Sequence, residues 1–312
     1  MSISIFSPDR PLRIGTRRSP LALAQAEMAA AAIRRAHSLA HEAVILLPML
    51  ASGDKIQDRP LAEIGGKALW TKELERALID GVIDIAVHSM KDVETVRPDV
   101  FTIAAMLPRA DVRDRLIGAE SVDALPQGAR MGTSSPRRTA QMLRLRPDLQ
   151  IVPLRGNVST RLARIEAGEA DVTLLAAAGL DRLGMSETGS AIGTGQILPA
   201  ASQGAVGIDR LSSRDDLAAL LEPVNHAATF TAVMAERAFL EALGGSCHSP
   251  VAAFAEVSNG MISLRAQIFN ADGSHMQAGH IHCVAADLAA PARLAADMLA
   301  GAHPSISALF NP

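Results

Sequence analysis

One phrase is written twice in this chain, and it limits the possible folds more than any other feature. Arg13-Ile14-Gly15-Thr16 is followed by Ser19-Pro20, and Arg130-Met131-Gly132-Thr133 is followed by Ser135-Pro136. In each copy a short apolar run meets a tight turn, a serine suits the helix N-cap, and proline takes the first helical position, where its missing N–H costs nothing. A second echo sets Gly81-Val82-Ile83-Asp84 beside Gly168-Glu169-Ala170-Asp171, each entering an apolar strand. Two matches in the same order suggest two lobes of like topology, and two such lobes make a cleft. Proline and small residues near Leu107-Pro108 and Leu198-Pro199 mark the expected crossovers between them.

At 312 residues the chain exceeds a typical single domain, so two or three are expected. With 48% hydrophobic residues, 20% charged residues and a formal net charge of -3, the composition argues against wholesale nucleic-acid or membrane binding. Met1 to Pro11 holds no long apolar run, and charge and proline interrupt the alanine-rich segments, so a cytoplasmic protein is expected. Two cysteines, Cys247 and Cys283, form neither a disulfide framework nor a zinc pattern. No metal is expected, and each cysteine is judged as a thiol.

The chemistry is expected after Asp84-Ile-Ala-Val-His88. Ile83, Ile85 and Val87 alternate with Asp84 and Ala86 as in a strand, and His88, Ser89, Lys91 and Asp92 crowd its carboxyl end. Ligands bind at that end in open α/β sheets. Asp92, one residue after a lysine, is a candidate general acid or base, and the plain alternative is a solvated loop with an ion pair. The first turn adds a helix N-terminus beside Arg13, Arg17 and Arg18, which reads as an anion site or as surface arginines next to a capped helix.

The second lobe supplies Arg137, Arg138, Arg155, Arg161 and Arg182, all at expected strand ends or helix starts, with Asn157 as a possible cap. So many guanidiniums facing one cleft would repel one another without an anionic ligand, so a polyanion is expected there. Gly65-Gly66-Lys67 lacks the upstream glycine of a phosphate loop, and Ala68 stands where Ser or Thr would hold magnesium. A lid with Lys67 as an anion contact is the functional alternative to a plain loop.

Beyond Gln203 the style changes. A helix over Thr229 to Leu243, with Phe230, Val233, Met234 and Phe239 on its apolar face, leads into Gly244-Gly-Ser-Cys247-His248. Val251 to Val257, Met261 to Phe269 and Met276 to Val284 alternate as antiparallel strands, with turns at Asn259-Gly260 and Asp272-Gly273 and a closing helix near Leu288 to Leu299. Cys247, on a glycine-rich loop beside His248, is a candidate nucleophile or covalent anchor, whereas Cys283 reads as packing.

Taken together, Leu12-Arg-Ile-Gly-Thr-Arg-Arg-Ser-Pro20-Leu-Ala-Leu, Gly65-Gly-Lys, His88-Ser-Met-Lys-Asp92-Val, Gly132-Thr-Ser-Ser-Pro-Arg-Arg, Leu154-Arg-Gly-Asn-Val-Ser-Thr-Arg161, Leu198-Pro-Ala-Ala-Ser-Gln-Gly-Ala-Val-Gly and Gly245-Ser-Cys247 resemble the porphobilinogen deaminase (hydroxymethylbilane synthase) family. The resemblance runs nearly end to end. It implies an α/β fold with two lobes like those of periplasmic binding proteins, a cleft between them, and a smaller α+β C-terminal domain. The corresponding division is residues 1–107 with 204–224, then 108–203, then 225–312. It further implies a dipyrromethane cofactor joined through a thioether to Cys247, onto which four porphobilinogen units are condensed head to tail with loss of ammonia.

Under the same resemblance Asp92 is the catalytic carboxylate. Lys91, Arg13, Arg17, Arg155, Arg161 and Arg182 fall on carboxylate-binding positions. Ser19, Lys67, Ser89, Thr133, Ser134, Ser135, Arg137, Arg138 and Gln203 fall on cofactor or substrate contacts. The expected partners are porphobilinogen and the growing polypyrrole, in a monomer. Glu94 replaces a usual proline, Ala68 a glycine, Trp70 a phenylalanine and Ser202 a glycine. A non-catalytic two-lobed anion-binding protein is the rival reading, and it leaves Cys247 and Asp92 without a purpose.

Overall fold

The computed structural model describes residues 6–49, 68–245 and 249–310. Lys67 with its glycine pair, and Cys247 with His248, lie outside the described residues. In chain order the elements are β1 (Leu12–Arg17), α1 (Pro20–His37), β2 (Val44–Met49), α2 (Ala68–Ile79), β3 (Ile85–Ser89) and β4 (Phe101–Met106). Then come β5 (Asp114–Ile117), β6 (Arg130–Gly132), α3 (Pro136–Leu145), β7 (Gln150–Val152), α4 (Val158–Glu166), β8 (Val172–Ala176), α5 (Ala177–Arg182) and β9 (Ser190–Ile192). The chain closes with β10 (Val206–Leu211), α6 (Asp215–Leu221), α7 (Ala227–Ala242), β11 (Val251–Ser258), β12 (Met261–Phe269), β13 (Met276–Val284) and α8 (Ala290–Ala300). No helix among the described residues is long and apolar enough to cross a membrane.

These elements sort into two compact units, one of residues 1–109 and 205–230, the other of 110–204 and 231–312. The first is built on the sheet β2-β1-β3-β10-β4, with β1 parallel to β2 and β3 and with β10 antiparallel to β3 and β4. The alanine face of α1 (Ala26, Ala29, Ala30) and Ile33 packs with Leu12, Ile14, Ile85, Val206 and Ile208 in one core. On the other side Leu74, Ala77 and Leu78 of α2 close over Ile83 and Ala86. Ile85, Ala86 and Val87 are therefore buried in succession, as a central strand covered on both faces must be.

The second unit contains the sheet β7-β6-β8-β5-β9, which repeats the first strand for strand: β6 is parallel to β7 and β8, and β5 is antiparallel to β8 and β9. The double phrase in the sequence thus marks a repeated topology. In both sheets the antiparallel member, β10 or β5, is the first strand the chain forms on crossing into that unit from the other. The second crossover lies at 204/205, beyond the Leu198-Pro199 marker and next to the expected 203/204 division. Leu198 is 3% exposed and accepts hydrogen bonds from Arg137 and Gln141, so that proline marks an internal bend rather than a boundary.

The same unit carries the three-stranded sheet β11-β12-β13 with its own core of Phe239, Ala253, Leu264, Ile268 and Met298. Asn259 (φ 51) and Gly260 (φ 72) both adopt the left-handed geometry that a tight two-residue hairpin turn requires. Met234, expected on the apolar face of its helix, is instead 36% exposed. The true inward face runs through Val233, Glu236 and Phe239, and buried Glu236 accepts from Ser202 N at 2.6 Å and Ala255 N at 2.7 Å. The first of those bonds holds Ser202 at φ 65, a conformation more natural to glycine.

Candidate active site

In the first unit the carboxyl ends of β1 and β3 lie side by side and deliver Arg17 and Ser89 to one place. Thr16 Oγ1 donates to Ala22 O (3.1 Å) and Ser19 Oγ accepts from Ala22 N (3.3 Å), so the turn between β1 and α1 is closed from both sides. The start of α1 then presents the positive end of an 18-residue helix. Gln25, one turn further along and only 2% exposed, meets the Ser89 hydroxyl at 2.7 and 3.0 Å.

Asp92 closes a single 3-10 turn, Met90–Asp92, that continues directly from β3. Met90 N donates to Ala205 O (3.1 Å) and Val93 N to Met90 O (3.2 Å), which fixes the turn against the lead-in to β10. Glycine is needed opposite it: a Cβ at Gly207 would stand 2.1 Å from Met90 Sδ. The resulting recess, open to solvent, is lined by Arg17, Ser19, Gln25, Thr71, His88 and Asp92, among others. It therefore offers a guanidinium and a helix N-terminus to anionic groups and a carboxylate to cationic ones.

Behind the recess His88 Nε2 lies 3.2 Å from Asp209 Oδ2, and Arg97 pairs with both Asp209 and Glu75, the latter at 3.1 Å. Burial alone would raise the Asp209 pKa, but His88 and Arg97 more than offset it and hold the carboxyl below its ordinary value.

The second unit builds the same turn and uses it differently. Ser135 caps α3 by accepting from Arg138 N (3.4 Å), Thr133 Oγ1 accepts from Ser135 N (3.1 Å), and Ser134 Oγ donates to Leu154 O (3.3 Å). Arg137 and Arg138 are both buried and turn onto Asp114, with Nη2 to carboxylate distances of 2.8 and 2.7 Å. Gln203 Nε2 adds a 3.0 Å bond to the same carboxylate and one of 2.7 Å to Val112 O. Burial opposes ionisation of Asp114, yet the Arg138 and Arg137 guanidiniums hold its pKa far below the ordinary carboxylate value. Burial also lowers the pKa of Arg137. Within this group two guanidiniums face one carboxylate, which leaves the group with a net positive charge.

Arg155 is half-buried beside the turn where Asn157 caps α4, accepting from Thr160 N at 2.8 Å. Arg161 Nε donates to Gly156 O (2.9 Å), and Arg182, at the end of α5, donates to Gly204 O (2.6 Å), with burial lowering its pKa.

The structure thus gathers Arg17, Ser19, Ser89 and Asp92 in one recess, with Lys91 half-buried in the same turn, and Arg137, Arg138 and Gln203 around one carboxylate. It does not bring Arg13 to either group. Arg13 stands at the amino end of β1, and its backbone N–H, Nε and Nη2 clasp Asp84 at 2.9, 3.0 and 3.0 Å. Arg130 clasps Asp171 in the same way, through its backbone N–H at 2.7 Å and Nη2 at 2.7 Å. The correction has a simple cause: strand polarity puts Arg13 and Arg17 at opposite ends of β1, and only the carboxyl end reaches the recess.

Sequence reasoning missed Gln25, Thr71, Asp114, Asp209 and Arg97. Gln25 could have been found, because it precedes Ala29 and Ile33 at helical spacing on a face otherwise apolar. Asp209 and Asp114 sit in strands whose neighbours gave no hint of buried charge.

Comparison with known proteins identifies relatives of the chain. Residues 12–219 match the family model described as porphobilinogen deaminase, dipyromethane cofactor binding domain, and residues 230–300 match the porphobilinogen deaminase C-terminal domain. The chain is 58% identical over 312 residues to a porphobilinogen deaminase from Sphingopyxis alaskensis, covering 98% of each chain. It is 45% identical over 301 residues to one from Paracoccus denitrificans, covering 96% of each. Among solved structures, a periplasmic substrate-binding protein of an ABC transporter from Coxiella burnetii aligns with 70% of this chain and 94% of its own at 16% identity and a TM-score of 0.41, too distant a likeness to carry weight. The matches extend across both units and the C-terminal sheet, so this chain belongs to the porphobilinogen deaminase family.

Proposed function

We propose that the chain condenses four porphobilinogen molecules head to tail, releasing ammonia at each addition and finally the linear tetrapyrrole hydroxymethylbilane. The observation that carries this reading is the recess in which Arg17 and the start of α1 accompany Asp92. Porphobilinogen bears two carboxylates and an aminomethyl arm on a pyrrole ring, so it needs cationic partners on one part and an anionic partner on another. Arg17 and the positive end of α1 take a carboxylate. Asp92 accepts from the ring N–H and the protonated amine. As ammonia leaves, positive charge spreads onto the ring nitrogen, and a carboxylate already in place stabilises it without reorganising. When the next pyrrole carbon bonds to the arm, the proton lost from that carbon needs an acceptor, and Asp92 is the group within the recess suited to hold it.

The donor set of the second unit fits a dipyrromethane primer. The surplus positive charge around Asp114, the hydroxyls of Thr133, Ser134 and Ser135, and the guanidiniums of Arg155, Arg161 and Arg182 suit an acid-bearing pyrrole pair, and Cys247 is proposed as its anchor. When bound, the primer supplies the pyrrole carbon from which the chain grows. Arg137 and Arg138 orient its acid side chains while remaining tied to Asp114. A monomer acting in the cytoplasm is part of the same proposal.

The test is consumption of porphobilinogen by the purified chain, with ammonia and tetrapyrrole measured together. The expected result is turnover in the wild type that is nearly abolished in Asp92→Ala. Equal rates in the two would refute the role of Asp92. Porphobilinogen bound without release of ammonia by the wild type would favour the anion-binding alternative.

A further inference from the structure

Asp92 is carried by a short stretch that is tied to β10 and to the residue leading into it. Met90 N is bonded to Ala205 O at its start. Beyond Asp92 the chain is irregular until β4, and within that segment Arg97 turns inward, its side chain only 7% exposed. Its guanidinium is held on three sides: by Asp209 of β10, by Glu75 of α2 at 3.1 Å, and by the Phe101 ring, whose centroid lies 5.4 Å from Cζ. Asp209 is itself fully buried and touches His88, which lines the recess.

We propose that Arg97 is a positioning residue for Asp92, its planar fork locking the stretch that follows the catalytic turn to the strand behind it and to α2. The proposal rests on Asp92 being the catalytic group. A guanidinium that merely neutralised Asp209 would not need to reach Glu75 as well, and a lysine, a point charge on a free stem, could not make both contacts in fixed directions. The doubled engagement fixes the direction of the fork. A displacement of Asp92 by even an ångström would weaken its grip on the developing cation without changing how Arg17 and α1 hold carboxylates.

The experiment uses the primer-loaded enzyme and three variants, Arg97→Met, Arg97→Lys, and Arg97→Met combined with Asp209→Asn. For each, kcat, KM for porphobilinogen and the thermal midpoint are measured. Arg97→Met is expected to lower kcat by about ten- to a hundredfold with little change in KM, and to lower the midpoint because buried Asp209 loses its guanidinium partner and keeps only His88. The double variant removes that charge, so its midpoint should recover while kcat stays low, and it carries the test if the single variant does not fold. Arg97→Lys should likewise keep a low kcat. Recovery of kcat together with the midpoint in the double variant, or wild-type kcat in any of the three, would overturn the proposal. Full activity in Asp92→Ala would instead show that the underlying assignment of Asp92 has failed, which the Arg97 variants alone would not indicate.

Discussion

The two five-stranded sheets have the same strand order and the same capped turn, yet their carboxyl ends do different work. In the first, β3 runs on into Met90-Lys91-Asp92 and Arg17 lines a recess with that carboxylate. In the second, the matching strand β8 runs on into Ala177-Ala178-Gly179, all buried, and the arginines after the turn fold inward onto Asp114. At the register position where β10 has Gly207 opposite His88, β5 has Arg115 opposite Leu175. What the two share lies at the other end of each sheet, where Arg13 clasps Asp84 and Arg130 clasps Asp171. A frame secured at its amino ends leaves its carboxyl ends free to diverge, one into a recess lined by a carboxylate and the other into a buried charge cluster.

Four substitutions would break or sharpen this contrast. The largest effect is expected from Asp92→Ala, which should lower kcat by roughly 10²–10⁴-fold, the usual scale for a lost acid-base and charge-stabilising group, in a porphobilinogen consumption assay. Next is Asp114→Asn, which leaves two buried guanidiniums without their anion and should cost about 3–5 kcal/mol in denaturant unfolding. Because folding lowers the Asp114 pKa, its contribution is complete above the ordinary value of 3.8 and is lost as pH falls below it. The wild type should therefore lose stability on acidification more steeply than Asp114→Asn.

A smaller effect is expected from Gly207→Ala, which presses on buried Met90 and should destabilise by about 1–3 kcal/mol while lowering kcat, because the displaced turn carries Asp92. The smallest should come from Arg13→Met. Its clasp is part-exposed and distant from the recess, so KM for porphobilinogen should not change, and a marked rise in KM would restore Arg13 to the substrate-binding set.

Much of this was legible in the sequence. The repeated Gly-Thr and Ser-Pro signals placed both turns, the alternation from Val251 to Val284 placed three strands almost to the residue, and Asn157 and Ser19 were found as caps. Arg13 was misplaced because a list of arginines near a turn does not say which end of a strand each occupies. The Asp114 and Asp209 clusters were invisible for a different reason. Their partners come from segments far along the chain, Arg97 with Asp209 and Gln203 with Asp114, and no local pattern announces a contact at that separation.

The central claim is that chain growth depends on the carboxylate of the first unit while the primer is held independently of it. Intact-protein mass spectrometry of Asp92→Ala, before and after addition of porphobilinogen, tests this most directly. The account predicts a mass raised by one dipyrromethane before addition and no further increments afterwards, where the wild type gains successive pyrrole units. Increments in Asp92→Ala at the wild-type rate would contradict it.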